Sequence, residues 1–508
     1  MNHLLGDVSW ITLATVGLGL LTAFAFEFIN GFHDTANAVA TVIYTNSMKP
    51  VPAVVWSGIW NLLGLLHAST VGLAVAFSIV QLLPVDLVVE SGRYSGTVMV
   101  LSMMVTAIAW NLGTWYVGLP ASSSHTLIGS VLGVGLAGSL MKGNGFLAGM
   151  HWPKVIQVFT SLFVSPLIGF TVAGLLVFLG RRLLRDERLF RPPAGQEPPP
   201  LWIRSLLLFT CTGVSFAHGS NDGQKGVGLV MLILVGSIPG AYALNPTFGQ
   251  KEMTAVIAAL DEADALLASS PASPLSDKPA SRNGNGRSAR SLPEDRSADW
   301  RHVPLAKEPP STDRGAIRLQ IALVRQSLEG KTSVGAIPAA DRWQVRSDLL
   351  RVREAFREYV AGHPEVQRGS SAQVIARVRA RLVPLTEFAP QWVVVGVALA
   401  LGIGTMVGWK RIVVTVGEKI GEAHLTYGQG AAAELVAMAT IFSADRLGLP
   451  VSTTHVLNAG VAGTMKANGS GLQVATVRNI ALAWVLTLPV CMAGSAVLFW
   501  IGMSAFCR

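Results

Sequence analysis

Residues 118–127 read GLPASSSHTL and residues 448–457 read GLPVSTTHVL. At a displacement of 330 residues, Gly, Leu, Pro, Ser, His and Leu recur in place. The two other triplet positions are Ser in one copy and Thr in the other. A second pair of motifs precedes these. Residues 28–40 read FINGFHDTANAVA and residues 216–228 read FAHGSNDGQKGVG. At a displacement of 188, Phe28, Gly31, Asp34 and Val39 match Phe216, Gly219, Asp222 and Val227. The displacements differ because a long aqueous insert lies inside the second half. The chain therefore reads as two related halves, each with an acidic glycine motif followed by a hydroxyl-rich proline motif. Twofold repetition of apolar segments interrupted by Gly and Pro is the sequence signature of a secondary transporter.

The surroundings of the four motifs are apolar. Of 508 residues, 51% are hydrophobic and only 14% charged, against roughly 25% charged in soluble domains. No Asp, Glu, Lys or Arg occurs in 51–85, 94–141, 155–180, 226–250, 388–409 or 479–507. A bilayer-spanning helix needs about 20 apolar residues, so the longest windows hold more than one crossing. The expected fold is an all-α polytopic membrane protein of about ten to twelve segments in two inverted-topology repeats, some helices being broken or re-entrant. A soluble fold would be left with too little polar surface. Residues 1–10 carry no basic cluster ahead of the first apolar run, which reads as a retained span rather than a cleaved signal peptide. Cys211, Cys491 and Cys507 lack metal-type spacing, so neither a disulfide framework nor a fixed structural metal site is expected. The net charge of +9 lies in the connections. Arg181, Arg182, Arg185, Arg188 and Arg191 crowd one of them, and Arg is abundant across 282–381. Basic residues beside membrane ends mark the cytoplasmic side, which accounts for the charge without a nucleic-acid partner.

The organisation follows. Residues 1–180 form the first membrane half and 181–200 a basic cytoplasmic connection. Residues 201–244 start the second membrane repeat, 245–387 form a cytoplasmic insert, and 388–508 complete the second half. Within the insert, 269–311 is rich in Ser, Pro, Asp and Arg, the composition of a disordered segment. Its flanks, 314–329, 342–360 and 372–385, alternate charged and apolar residues at helical spacing, which predicts amphipathic helices.

The motifs carry complementary chemistry. Asp34 and Asp222 fall in apolar surroundings, where an ionised carboxylate is costly unless paired. Gly31, Gly219, Gly223, Gly226 and Gly228 would let the backbone leave helical geometry and approach a ligand. Pro120 and Pro450 would start helices, followed by Ser122, Ser123 and Ser124 or by Ser452, Thr453 and Thr454. Unpaired N–H groups at a helix start, with three hydroxyls, suit an oxyanion; a serine there can also serve purely as a cap. Phosphate resolves the apparent conflict between donors and aspartates, because it keeps a P–OH that donates to a carboxylate, whereas sulfate does not. The aspartates can also hold a coupling cation or proton. His125 and His455, one residue past each triplet, read as packing residues or as proton-sensitive gating groups. Together with His33, Asp34, His218 and Asp222 they form a rival zinc constellation, but no tight His or Cys pattern backs it.

At these motifs the sequence resembles the inorganic phosphate transporter (PiT) family, most nearly the bacterial low-affinity permeases. The resemblance rests on GFHDTANAVAT at 31–41, HGSNDGQKGVG at 218–228, WNLGTWYVGLPASSSHTLIG at 110–129 and GLPVSTTH at 448–455. It covers both membrane halves. It implies phosphate symport, a homodimer in the bacterial inner membrane, and a site near the midplane lined by Asp34, Asn37, Ser122–Ser124, Asp222 and Ser452–Thr454. It further implies a proton as the coupling ion and a neutral divalent-metal–phosphate complex as cargo. Asn37 is matched by Lys225 in the second motif. An ammonium one helical turn from Asp222 would fill the place of a sodium ion, so the expectation is proton coupling, with sodium coupling the alternative. Lys225 joins the expected phosphate-binding set, Asp34 and Asp222 the coupling set. No cofactor and no catalytic residue are expected. An intramembrane metallohydrolase built on His33, Asp34, His218 and Asp222 is the reading from another class, and a passive anion channel or scaffold is a third.

Overall fold

A computed structural model describes residues 10–80, 95–143, 152–184, 186–193, 195–269, 314–367 and 369–506. The segment 269–311, expected to be disordered, lies outside them except for Ser269, as do residues 1–9 and Cys507. Among the described residues the regular structure is helical, apart from one isolated bridge between Gly421 and Leu472. Two compact units appear: one comprises 8–237 with 389–508, the other 238–388.

In the first unit the chain runs through α1 (Trp10–Asp34), α2 (Ala36–Tyr44), α3 (Pro50–Val71), α4 (Ala74–Val80), α5 (Ser95–Val117), α6 (Ser123–Met141), α7 (Trp152–Leu183) and α8 (Leu201–Ser237). Among the described residues, seven helical stretches, from Trp10–Tyr44 to Val474–Ala505, are long and apolar enough to cross a membrane. Outward-facing Phe163 and Leu167 on α7, 69% and 64% exposed, show the apolar surface such helices present; lipid is the solvent that suits it. The all-helical polytopic expectation holds. Its ten to twelve segments resolve into these seven and several shorter helices, α4 among them with 7 residues.

The second unit begins with α9 (Pro239–Tyr242) and α10 (Gln250–Ser269), then α11 (Arg314–Leu328), α12 (Arg342–Gly362) and α13 (Gly369–Thr386). Leu260, Ile317, Leu349 and Leu382 meet in its own apolar core. Arg318–Asp264, Arg325–Asp261 and Arg377–Glu262 ion pairs join the helices at the surface. Its two ends lie side by side: Asn245 N donates to Leu385 O at 2.9 Å. Buried Arg346 donates to Ala243 O (2.8 Å) and Thr386 O (2.5 Å). Burial lowers its guanidinium to about 10, which still leaves it charged at neutral pH.

The first unit resumes with α14 (Gln391–Thr405), α15 (Lys410–Glu418), α16 (Tyr427–Arg446), α17 (Thr453–Asn468) and α18 (Val474–Phe506). A Thr426–Gln429 capping box starts α16, and left-handed Gly469 ends α17. The two halves interlock. α17 packs against α7 of the first half, α6 against α18 of the second, and α3 against α8. Small residues permit the approach. A Cβ at Gly133 would stand 2.0 Å from Met492 O, and one at Gly463 would stand 2.1 Å from Phe170 O.

Two expectations about the motifs are corrected. The second acidic motif does not break its helix, since 216–228 lies inside continuous α8. Its glycines serve close packing: a Cβ at Gly219 would stand 1.9 Å from Asn61 O, and one at Gly228 2.3 Å from Ala76 O. Pro120 and Pro450 do not begin helices either. They lie in irregular backbone after positive-φ Gly118 and Gly448, and α6 and α17 start three residues later.

Candidate functional site

The site is assembled where α1 ends. The helix ladder is interrupted for one residue at Thr35, between α1 and α2, where the backbone stays helical and Thr35 Oγ1 lies 2.7 Å from Gly31 O and 2.9 Å from Thr405 O, both acceptors. Asp34 and Asn37, on either side of it, meet the starts of both hydroxyl helices. Ser123 Oγ donates to Asp34 Oδ2 at 2.9 Å, and Thr454 Oγ1 donates to Asp34 Oδ1 at 2.6 Å. Asn37 Nδ2 donates to Thr454 Oγ1 at 3.0 Å and lies 3.4 Å from Thr453 Oγ1. One carboxylate therefore receives a hydroxyl from each half of the chain.

On α8, Lys225 Nζ meets Asp222 Oδ1 at 2.8 Å and donates to Ser124 Oγ (2.5 Å) and to Val451 O (2.9 Å). Between the two aspartates stands His218. Its Nε2 lies 3.6 Å from Asp34 Oδ2 and 3.7 Å from Asp222 Oδ2. Asn61 uses its amide on Thr405 (2.9 Å), so its Oδ1 accepts from His218 Nδ1 at 3.0 Å. That assigns the proton of a neutral His218 to Nδ1 and leaves the Nε2 lone pair facing the carboxylates. Asp34, His218 and Asp222 can each offer one ligand atom, all within 4.8 Å of one another. His33 is held by Thr114 Oγ1 at 3.1 Å, with its Nδ1 3.5 Å from Asp34 Oδ1.

The expected residues divide by what they touch. Asp34, Asn37, Ser123, Ser124, Asp222, Lys225, Thr453 and Thr454 share one buried polar network. Ser122 and Ser452 instead cap α6 and α17, accepting from His125 N (3.2 Å) and His455 N (3.1 Å). The His125 and His455 rings pack at a tilt of 39° with centroids 4.4 Å apart, and the His455 centroid lies 4.1 Å from that of Trp484. Sequence reasoning gave no role to Asn61, Thr114, Thr405 or the Val451 carbonyl. Each lies outside the residues matched between halves or contributes only backbone. Two buried carboxylates were also missed: Glu434, which accepts from Thr41 and Thr210, and Glu27. Each is the lone charge in an apolar run of more than 20 residues, a signal that the sequence did offer.

Comparison with known proteins gives a consistent picture. Residues 30–495 match the model of the phosphate transporter family. The low-affinity inorganic phosphate transporter PitA of Escherichia coli (strain K12) is 41% identical over 501 residues, spanning 96% of this chain and 97% of that protein. PitB of the same strain is also 41% identical, over 505 residues. A probable low-affinity inorganic phosphate transporter of Bacillus subtilis (strain 168) is 24% identical over 492 residues, 97% of this chain and 98% of its own. A solved structure described as a sodium-dependent phosphate transporter superposes with a TM-score of 0.52 over 97% of this chain and 100% of its own. At 19% identity, that likeness is one of fold.

Proposed function

This chain belongs to the phosphate transporter family, and from that premise we propose that it takes up inorganic phosphate by proton-coupled symport through the network around Asp34. The observation that carries the reading is the convergence of hydroxyls from both halves on one carboxylate, at 2.9 Å and 2.6 Å. Ser123, Ser124 and Thr454 spend their hydroxyls on Asp34 and Val451 O. An arriving anion can redirect these donors, together with Thr453, the Asn37 amide and the Lys225 ammonium. Asp34, released from the hydroxyls, accepts from the P–OH of a mono- or dianionic phosphate. Sulfate offers no such donor and leaves the carboxylate facing bare oxygen. Selectivity thus comes from the acid in the site.

Lys225 already neutralises Asp222 at 2.8 Å, which leaves no anionic vacancy there for sodium and supports protons as the coupling ion. The Asp34–His218–Asp222 cluster favours one refinement: a divalent cation, of higher charge than sodium, travelling with phosphate as a neutral complex and meeting Asp222 through Oδ2, the oxygen that Lys225 leaves free. Family members are transporters, and the residues that a hydrolase would need are here engaged in paired, matched motifs. The same reading carries inverted halves working by alternating access, a homodimer, and the bacterial cytoplasmic membrane as location. Arg181, Arg182, Arg188 and Arg191 support a cytoplasmic face for their connection.

The test is radiolabelled phosphate uptake by the purified full chain in liposomes. An inward proton gradient should drive accumulation, and Asp34→Asn and Asp222→Asn should abolish it. Uptake that requires sodium and ignores the proton gradient would overturn the coupling. Absence of uptake under either gradient would overturn the substrate.

A further inference from the structure

We propose that Glu27, two helical turns before Asp34 on α1, is the residue that binds and releases the coupled proton. The inference rests on the proton-coupled reading above and moves the proton from the expected pair, Asp34 and Asp222, which are engaged by hydroxyls and by Lys225, to a carboxyl without such partners.

Glu27 is fully buried, at 0% exposure, and is the only Asp, Glu, Lys or Arg in residues 8–33. Its hydrogen bonding is incomplete. Among the described residues, Oε2 receives only a long contact from Asn30 Nδ2, 3.4 Å, and Oε1 has no hydrogen-bond partner. Asn30 Oδ1, in the same pair, also lacks one. Two buried acceptors thus sit together, short of a donor. A proton on the Glu27 carboxyl supplies that donor and removes the charge in one step.

The neighbours provide no lasting counter-ion. α8 crosses Glu27 at Gly226, where a Cβ would stand 2.4 Å from Glu27 Cδ. Among the described residues, the charged groups that bear on it are Asp222 and Lys225 on α8 and Asp34 on α1 itself. Lys225 is committed to Asp222 at 2.8 Å. α2, α5 and α14, which also pack on α1, carry no Asp, Glu, Lys, Arg or His, and α6 carries only His125. His33 lies two turns away and is held by Thr114. An ionised Glu27 would therefore be an uncompensated buried charge, so the closed form that carries phosphate holds the neutral acid. Opening to water on one side lets an oxygen lone pair take a proton, changing the charge from −1 to 0. Opening on the other side returns that proton to water. Glu434 differs, because both its oxygens already accept hydroxyls, from Thr41 and Thr210.

Glu27→Gln keeps the shape and fixes the neutral state, so a purely structural role would survive it. In liposomes the variant should lose proton-driven phosphate accumulation by about tenfold or more, with labelled-phosphate exchange at equal pH slowed far less. Glu27→Asp, which keeps a titrating group, should retain proton-driven uptake with a displaced pH profile. Infrared difference spectra, wild type minus Glu27→Gln at neutral pH, should contain a carboxylic-acid C=O band. Wild-type accumulation in Glu27→Gln, or absence of that band, would overturn the assignment. A wild-type protein indifferent to the proton gradient would instead defeat the coupling reading, and the infrared band would still report whether Glu27 holds a proton.

Discussion

Lys225→Asn is the perturbation that most sharply tests how the site chooses its cation. The ammonium sits 2.8 Å from Asp222 Oδ1, almost wholly buried, with Ser124 Oγ and Val451 O as its other partners. At an effective dielectric of about 20, a charge pair at this distance interacts with roughly 6 kcal/mol. Much of that is offset by desolvation, and breaking a buried pair typically costs about 3–5 kcal/mol through the charge left behind. Asp222 in the variant must then recover that energy from another cation. Conversion at about 1.4 kcal/mol per decade gives a gain of roughly a hundredfold to several thousandfold in the site's preference for a small cation over vacancy. Asparagine also restores, at this position, the residue that Asn37 supplies in the first half. On the proton-coupled reading, the variant should therefore gain sodium stimulation of phosphate uptake relative to the parent, while its response to a proton gradient weakens. The assay compares initial uptake rates in liposomes with sodium or choline outside, at equal pH on both sides. A folded Lys225→Asn protein whose uptake is equally insensitive to sodium would refute the argument that Lys225 occupies a cation site.

Two further outcomes follow from the geometry. Ser122→Ala and Ser452→Ala remove caps, so each should cost about 1 kcal/mol of stability with little change in the KM for phosphate. Ser123→Ala and Thr454→Val should raise KM or lower the maximal rate while changing the melting temperature less. The reverse pattern in purified protein would exchange the roles assigned here. Gly219→Ala places a methyl 1.9 Å from Asn61 O and should prevent stable packing of α3 on α8, whereas Gly113→Ala, with nothing within 4 Å, should be tolerated or slightly stabilising. Fluorescence size-exclusion profiles after mild heating would separate the two, and a Gly219→Ala protein as stable as its parent would contradict so close a crossing of the two helices.

The uncharged windows, the isolated carboxylates in the apolar runs outside them and the two matched motif pairs are all local properties of the chain. They are enough to specify a helical membrane protein with an acidic, donor-rich site, because lipid imposes one solution on an apolar backbone and a buried charge demands partners. The sequence alone therefore singled out Asp34, Asp222, Lys225 and the hydroxyl triplets. It could not divide the work within a triplet. Ser122 and Ser123 are neighbours of one kind, and only the start of α6 directs the first to a backbone N–H and the second to Asp34. Glycine spacing likewise suggested a break in the second acidic motif, yet α8 runs through it. A missing side chain permits either a bend or a close crossing, and α3, passing within van der Waals distance, selects the crossing. The opening of Glu27 Oε1 to no donor and the alignment of His218 between two carboxylates arise the same way. They depend on side chains that lie nearly 200 residues apart in the chain, and packing of α1, α3 and α8 is what brings them together.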